Sequence, residues 1–184
     1  DDIDAFTYPV NALICYAIYC QKFRYPDRYP DTKLLLGPKY TPLRGVFSCQ
    51  PPKTIQEQAK NLLLMSGGSD PFGFLPKLLG VLGKEGFERI DVICGMYSAE
   101  FHILQEKYAS CPQIRLHQAV RDIERYMAYA DLAISAGGTT LYELCAMGTP
   151  AISYSIADNQ LDNVTMFQAQ NRIDYAGDIR KDAD

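Results

Sequence analysis

The residues best suited to chemistry are concentrated at 133–150, which read AISAGGTTLYELCAMGTP. A β-like run ends in Gly137 and Gly138, Thr139 and Thr140 follow, and Glu143 stands three residues further on. Glycine lets backbone N–H groups approach an anion closely, and the N-terminus of the next helix carries about half a positive charge. A diphosphate lying across Gly138, Thr139 and Thr140 would meet N–H groups and two hydroxyls. Glu143 lies three and four residues after the threonines, on the same helical face, where its carboxylate could accept two hydrogen bonds from a ribose diol. The same residues carry a second reading: Thr140-x-x-Glu143 is also a capping box, in which the two side chains satisfy the helix's own N–H groups.

A second glycine pair, Ser66-Gly67-Gly68-Ser69, closes the apolar run 62–65, and Asp158, Asn159 and Gln160 follow the run 151–154. These are small polar groups suited to a sugar or phosphate, with Asp158 as a helix N-cap the alternative. Neither glycine pair matches GxGxxG or GxxxxGK[ST], so neither a dinucleotide fingerprint nor a P-loop is present. His102 falls in an amphipathic stretch and reads as surface or packing; His117 ends a strand-like run and could face the cleft, but the sequence alone shows no positioned partner that would make it a base. The six cysteines show neither CxxC pairs nor metal-ligand spacing and read as free thiols. No metal and no cofactor is expected.

The elements that must position these residues form a rhythm. Short apolar runs at 62–65, 90–94, 114–117, 132–135, 151–154 and 173–176 alternate with helical stretches at 72–84, 99–110, 123–129, 140–147 and 162–171. In the first of these helices Asp70 is a natural N-cap and Pro71 a natural first residue. Continuous apolar strands between helices imply βαβ units and a parallel sheet covered on both faces. The expected fold is α/β, a Rossmann-like doubly wound parallel sheet. Four prolines between Pro26 and Pro42 exclude long helices upstream, where short strands near 10–18 and at 33–36 are expected. The domain reading is a hinge or inter-domain segment over 1–55 and a ligand-binding domain over 56–184.

With 184 residues the chain can bury a full core. A net charge of −4 lacks the basic face that nucleic acid would need. No apolar run approaches the roughly 20 residues that span a bilayer, and no basic leader precedes the apolar stretch at 10–20. The expected location is cytoplasmic. The opening DDIDAF without methionine suggests a piece of a longer protein.

Four segments carry a resemblance: DDIDAF at the start, LLLGPKYTPLRGVF (34–47), LLLMSGGSDP (62–71) and YADLAISAGGTTLYELCAMGTPAISYSIADNQ (129–160). In order and spacing they resemble the UDP-sugar hydrolases of pseudaminic acid biosynthesis, over nearly the whole chain. AGGTTLYEL…GTP is similar, more distantly, to the transferases that deliver N-acetylglucosamine from UDP in peptidoglycan assembly (glycosyltransferase family 28). Both groups have the two-domain GT-B fold, and the resemblance implies the C-terminal, UDP-binding domain of such a protein. It implies that Gly137, Gly138, Thr139 and Thr140 hold the pyrophosphate and Glu143 the ribose. Val120 would recognise uracil through its backbone, and Ser66, Gly67, Gly68 and Ser69 would line the cleft. Asn159 and Gln160 would lie near the sugar and phosphates, and Arg44 would enter from the inter-domain segment.

The hydrolases' catalytic histidine belongs to a GHxxR-like motif of an N-terminal domain, and this sequence has no such motif. The resemblance therefore implies a partner in that missing N-terminal domain, a ligand in UDP or a UDP-sugar, and little turnover by these residues alone. The donor-binding domain of a GT-B glycosyltransferase is the alternative, and a non-catalytic UDP-sugar sensor a third reading.

Overall fold

The computed structural model describes residue 4 and residues 6–68 and 70–181. Two short strands, β1 (Ala12–Cys15) and β2 (Lys33–Leu36), pair in parallel, with Ala12 opposite Lys33 and Cys15 opposite Leu36. The single helical turn α1 (Tyr25–Arg28) lies between them. Leu13, Cys15, Tyr25 and Tyr29 form a small core of their own. Ile18 and Phe47 instead belong to the main core that follows.

The main sheet has six strands: β3 (Asn61–Met65), β4 (Arg89–Cys94), β5 (Ile114–Gln118), β6 (Leu132–Ala136), β7 (Ala151–Ser155) and β8 (Asp174–Asp178). All pairings are parallel, in the spatial order β5-β4-β3-β6-β7-β8. The chain winds outward from β3 to β5, crosses back to place β6 beside β3, and winds outward again to β8. The order reverses between β3 and β6.

The connecting helices are α2 (Phe74–Leu82), α3 (Phe101–Lys107), α4 (Ile123–Tyr129), α5 (Thr140–Met147) and α6 (Asp158–Ala169). On one face Leu75, Leu79 and Leu104 of α2 and α3 meet Leu62, Leu64, Ile90 and Val92. On the other, Met127, Leu141, Leu144, Val164 and Phe167 of α4 to α6 meet Leu63, Met65, Ala133 and Ala151. Leu62, Leu63 and Leu64 are all buried, each worth roughly 1.5–3 kcal/mol, which is why β3 reads as a continuous apolar run. The doubly wound parallel sheet expected from the sequence is the fold observed.

Several boundaries differ: α3 is shorter than the expected 99–110, and the starts of the first and last helices move. The first helix begins at Phe74, not residue 72, and Pro71 stays outside it. Asp70 nonetheless caps it: its two carboxylate oxygens accept from the N–H groups of Phe74 (2.9 Å) and Leu75 (2.8 Å). The last helix begins at Asp158, four residues before the expected start. Asp158 is its first residue, favoured there by the helix dipole and paired with Arg180 (2.7 Å). Among the described residues no helix is long and apolar enough to cross a membrane.

Candidate functional site

In an open parallel sheet the ligand crevice forms beyond the carboxyl ends of the strands, where the strand order reverses. Here that point lies between β3 and β6, and both glycine pairs sit at it. A cleft of about 290 Å³ opens along this edge, with Gly67, Gly68, Val120, Thr140 and Glu143 in its lining. Residues more than 70 positions apart in sequence thus share one cavity. Ser69 lies outside the described residues.

The two glycine turns differ in what their helices leave open. Asp70 already occupies the N-terminus of α2 with a carboxylate of the chain itself. At α5 the N-cap is Thr139, and no side chain caps the helix. The capping box does not form, because the helix starts one residue earlier than the box needs and Glu143 falls at its fourth position. Among the described residues the backbone N–H groups of Thr139 and Thr140 have no hydrogen-bond partner. These donors and the positive end of the helix dipole remain available at the cleft.

Glu143 is half-buried, one turn along α5. Burial pushes its carboxyl above the ordinary range, nearby Arg44 pulls it back, and Glu124 pushes it up again. Arg44 does not line the cleft; its guanidinium donates to the Arg121 carbonyl (3.0 Å), pairs with Glu124 (3.2 Å) and covers the Phe47 ring. Ser66, at the end of β3, is buried, and its hydroxyl has no partner among the described residues. Ala119 adopts a left-handed conformation (φ 51°) as the chain leaves β5 for Val120. Such backbone strain costs about 1–3 kcal/mol and clusters at functional positions.

Asn159 and Gln160 lie in the first turn of α6 and do not line the cleft. Asn159 is exposed, whereas the Gln160 amide oxygen accepts from the Ile156 N–H (2.9 Å). His117 is held under α4 between Asp91 (2.7 Å) and the Tyr126 hydroxyl (3.4 Å), and His102 is exposed on α3. Of the described cleft residues only Cys94 and Glu143 titrate, and burial pushes the Cys94 thiol up.

Two residues that shape it carry little signal in the sequence. A Cβ on Gly95 would overlap the carbonyl oxygen of Gly68, so only glycine there lets the 66–68 turn cross the end of β4. Asn163 is buried on α6 and donates to the carbonyls of Gly137 (2.9 Å) and Gly138 (3.3 Å). The hint available for Asn163 was an amide on the helix stripe that also carries Val164 and Phe167.

A model of the glycosyltransferase family 28 C-terminal domain matches residues 62–172, a span that runs from β3 to the end of α6 and includes both glycine turns. The chain belongs to this family. It is 28% identical over 151 residues to an uncharacterised protein of Methanocaldococcus jannaschii (78% of this chain, 31% of the relative). It is 26% identical over 144 residues to the spore coat polysaccharide biosynthesis protein SpsG of Bacillus subtilis (76% and 42%). It is 32% identical over 123 residues to the UDP-N-acetylglucosamine–N-acetylmuramyl-(pentapeptide) pyrophosphoryl-undecaprenol N-acetylglucosamine transferase of Campylobacter jejuni (63% and 36%). The family 28 chain thus spans between 31% and 42% of the length of these three relatives. Its fold is similar to that of Acinetobacter baumannii MurG, with a TM-score of 0.57 at 16% identity over 91% of this chain and 47% of that one.

Proposed function

We propose that this family 28 domain binds the nucleoside diphosphate of a UDP-sugar and serves as the donor-binding domain of a GT-B glycosyltransferase in polysaccharide assembly. The observation that carries the reading is the open N-terminus of α5 at the cleft, with Glu143 one turn further on. In this reading the N–H groups of Thr139 and Thr140 hold the diphosphate beside Gly137 and Gly138. They stabilise the negative charge that grows on it as the bond to the sugar breaks, a role preorganised donors fill without reorganising. Glu143 accepts hydrogen bonds from the ribose, and the Val120 backbone meets uracil. Ser66, Gly67 and Gly68 border the phosphates, Arg44 supplies positive charge near Glu143, and Asn159 and Gln160 stand on the sugar side.

Residues 56–184 act as the nucleotide-binding domain and 1–55 as the segment leading to a second, N-terminal domain. That domain carries the acceptor and the base that activates it, and residues 1–184 alone turn over little substrate. A UDP-sugar hydrolase of the pseudaminic acid type would make the same contacts with UDP and differ only in admitting water as the attacking group. The Campylobacter relative is named as a transferase and the Bacillus relative as a polysaccharide biosynthesis protein, which favours transfer to an acceptor.

Calorimetric titration of the 184-residue chain with UDP, uridine and GDP tests the reading. UDP is expected to bind in the range of about 1 µM to 1 mM that such substrates occupy. Uridine should bind at least tenfold more weakly, for want of the diphosphate, and GDP more weakly than UDP. Equal affinities for UDP and GDP would remove the uracil and ribose assignments, and equal affinities for UDP and uridine the diphosphate assignment.

A further inference from the structure

A buried polar chain runs from β1's side of the molecule to the turn after β6. The backbone N–H of Ile18 donates to the Tyr142 hydroxyl (2.9 Å), which lies 2.9 Å from Asn163 Oδ1. Asn163 Nδ2 in turn donates to the carbonyls of Gly137 and Gly138. Ile18, Tyr142 and Asn163 are each no more than 7% exposed, so water does not compete for these bonds.

The direction of every bond is forced by the two ends. A backbone N–H can only donate, so the tyrosine oxygen accepts from Ile18 and must spend its own hydrogen elsewhere. The glycine carbonyls can only accept, so the amide must turn its NH2 toward them and its oxygen toward Tyr142. Across a trans peptide the carbonyl of one residue and the N–H of the next point in opposite directions. Holding the Gly138 carbonyl toward Asn163 therefore turns the Thr139 N–H away from α6, and that is one of the two donors left without a partner.

We propose that Asn163, oriented by Tyr142, is a positioning residue for the diphosphate turn. It sets which way the peptide units of Gly137 and Gly138 face, without itself touching the nucleotide. The inference rests on the reading that α5 receives the diphosphate. It predicts an effect confined to that part of the ligand, because the cleft's ribose and base contacts lie outside the chain of bonds.

The test compares UDP with uridine, by calorimetry, in the 184-residue chain and in Asn163→Asp and Tyr142→Phe, with circular-dichroism melting to establish that each folds. Asn163→Asp keeps the shape and puts an oxygen where Nδ2 donates; it is expected to weaken UDP about tenfold and uridine less than twofold. Tyr142→Phe, which frees the amide to flip, should weaken UDP about threefold with uridine again unchanged. If Asn163→Asp does not fold, Tyr142→Phe decides by the same ratio. A folded variant that loses both ligands equally, or neither, overturns the positioning role. A wild-type chain that binds UDP no tighter than uridine overturns instead the diphosphate site on which the inference rests.

Discussion

Glu143 is held where a carboxylate is uncomfortable. Burial raises its pKa above the ordinary 4.5, with Glu124 adding to the shift and Arg44 opposing it. The folded empty chain therefore takes up a proton more readily than the unfolded one, and its stability falls as pH rises from 4.5 through the raised value. Binding through the carboxylate runs the other way. Uridine, which has no phosphate to titrate, should bind progressively more weakly as pH drops through that window, and calorimetry over a pH series descending to 4.5 reads this directly. Glu143→Gln should melt higher at neutral pH, by up to about 1 kcal/mol of stability, while losing roughly tenfold in UDP affinity, the pattern of a site kept at the expense of the fold. Gly95→Ala makes the opposite kind of prediction. Its methyl meets backbone, the Gly68 carbonyl oxygen, which cannot swing aside as a side chain would. A loss of about 1–3 kcal/mol in denaturant unfolding and a weaker UDP complex are expected together.

Helix ends decide which turn is free to bind. Removing the Asp70 cap by Asp70→Ala should cost about 0.5–2 kcal/mol in thermal or urea unfolding and leave UDP affinity within twofold, because α2's N-terminus is closed by that side chain. A large loss of UDP affinity would mean that the 66–68 turn carries the phosphates. Strand positions and the spans of α4 and α5 were legible because glycine, proline and acidic caps punctuate apolar runs. The start of α2 was not, since Asp70 reaches it from outside the helix and leaves Pro71 in the loop. The start of α6 was hidden because DNQLDN has the composition of a turn; in the fold Gln160 closes back on the Ile156 N–H and Arg180 reaches Asp158 from beyond β8. The cleft residues Gly67, Gly68, Val120, Thr140 and Glu143 could be named from motif and resemblance. Asn163 could not, because its role exists only once α6 lies against the turn, a closeness marked by Gly137, where a Cβ would overlap Val164.

At the scale of the molecule, residues before β3 are part of the main core. Ile18 and Phe47 are buried in the cluster formed by α4, α5 and α6, and Tyr16 packs edge-on against Tyr142. A chain starting at residue 56 gives up at least these two side chains, about 1.5–3 kcal/mol each, and at about 2–4 °C per kcal/mol should melt at least about 6 °C lower. A truncated chain that melts with the full one would show the upstream segment to be energetically separate. The bond from Ile18 to Tyr142 also sets a timetable. Its ends are 124 residues apart. At a synthesis rate of about 5–20 residues per second, Ile18 emerges roughly 6–25 s before the side chain that receives it. For that interval an apolar segment waits in the open with the Ile18 N–H bonded to water, and Asn163 comes later still. The nascent chain can finish its early strands in order, but the turn read here as the phosphate cradle takes its final orientation only when the last third of the chain closes over the first.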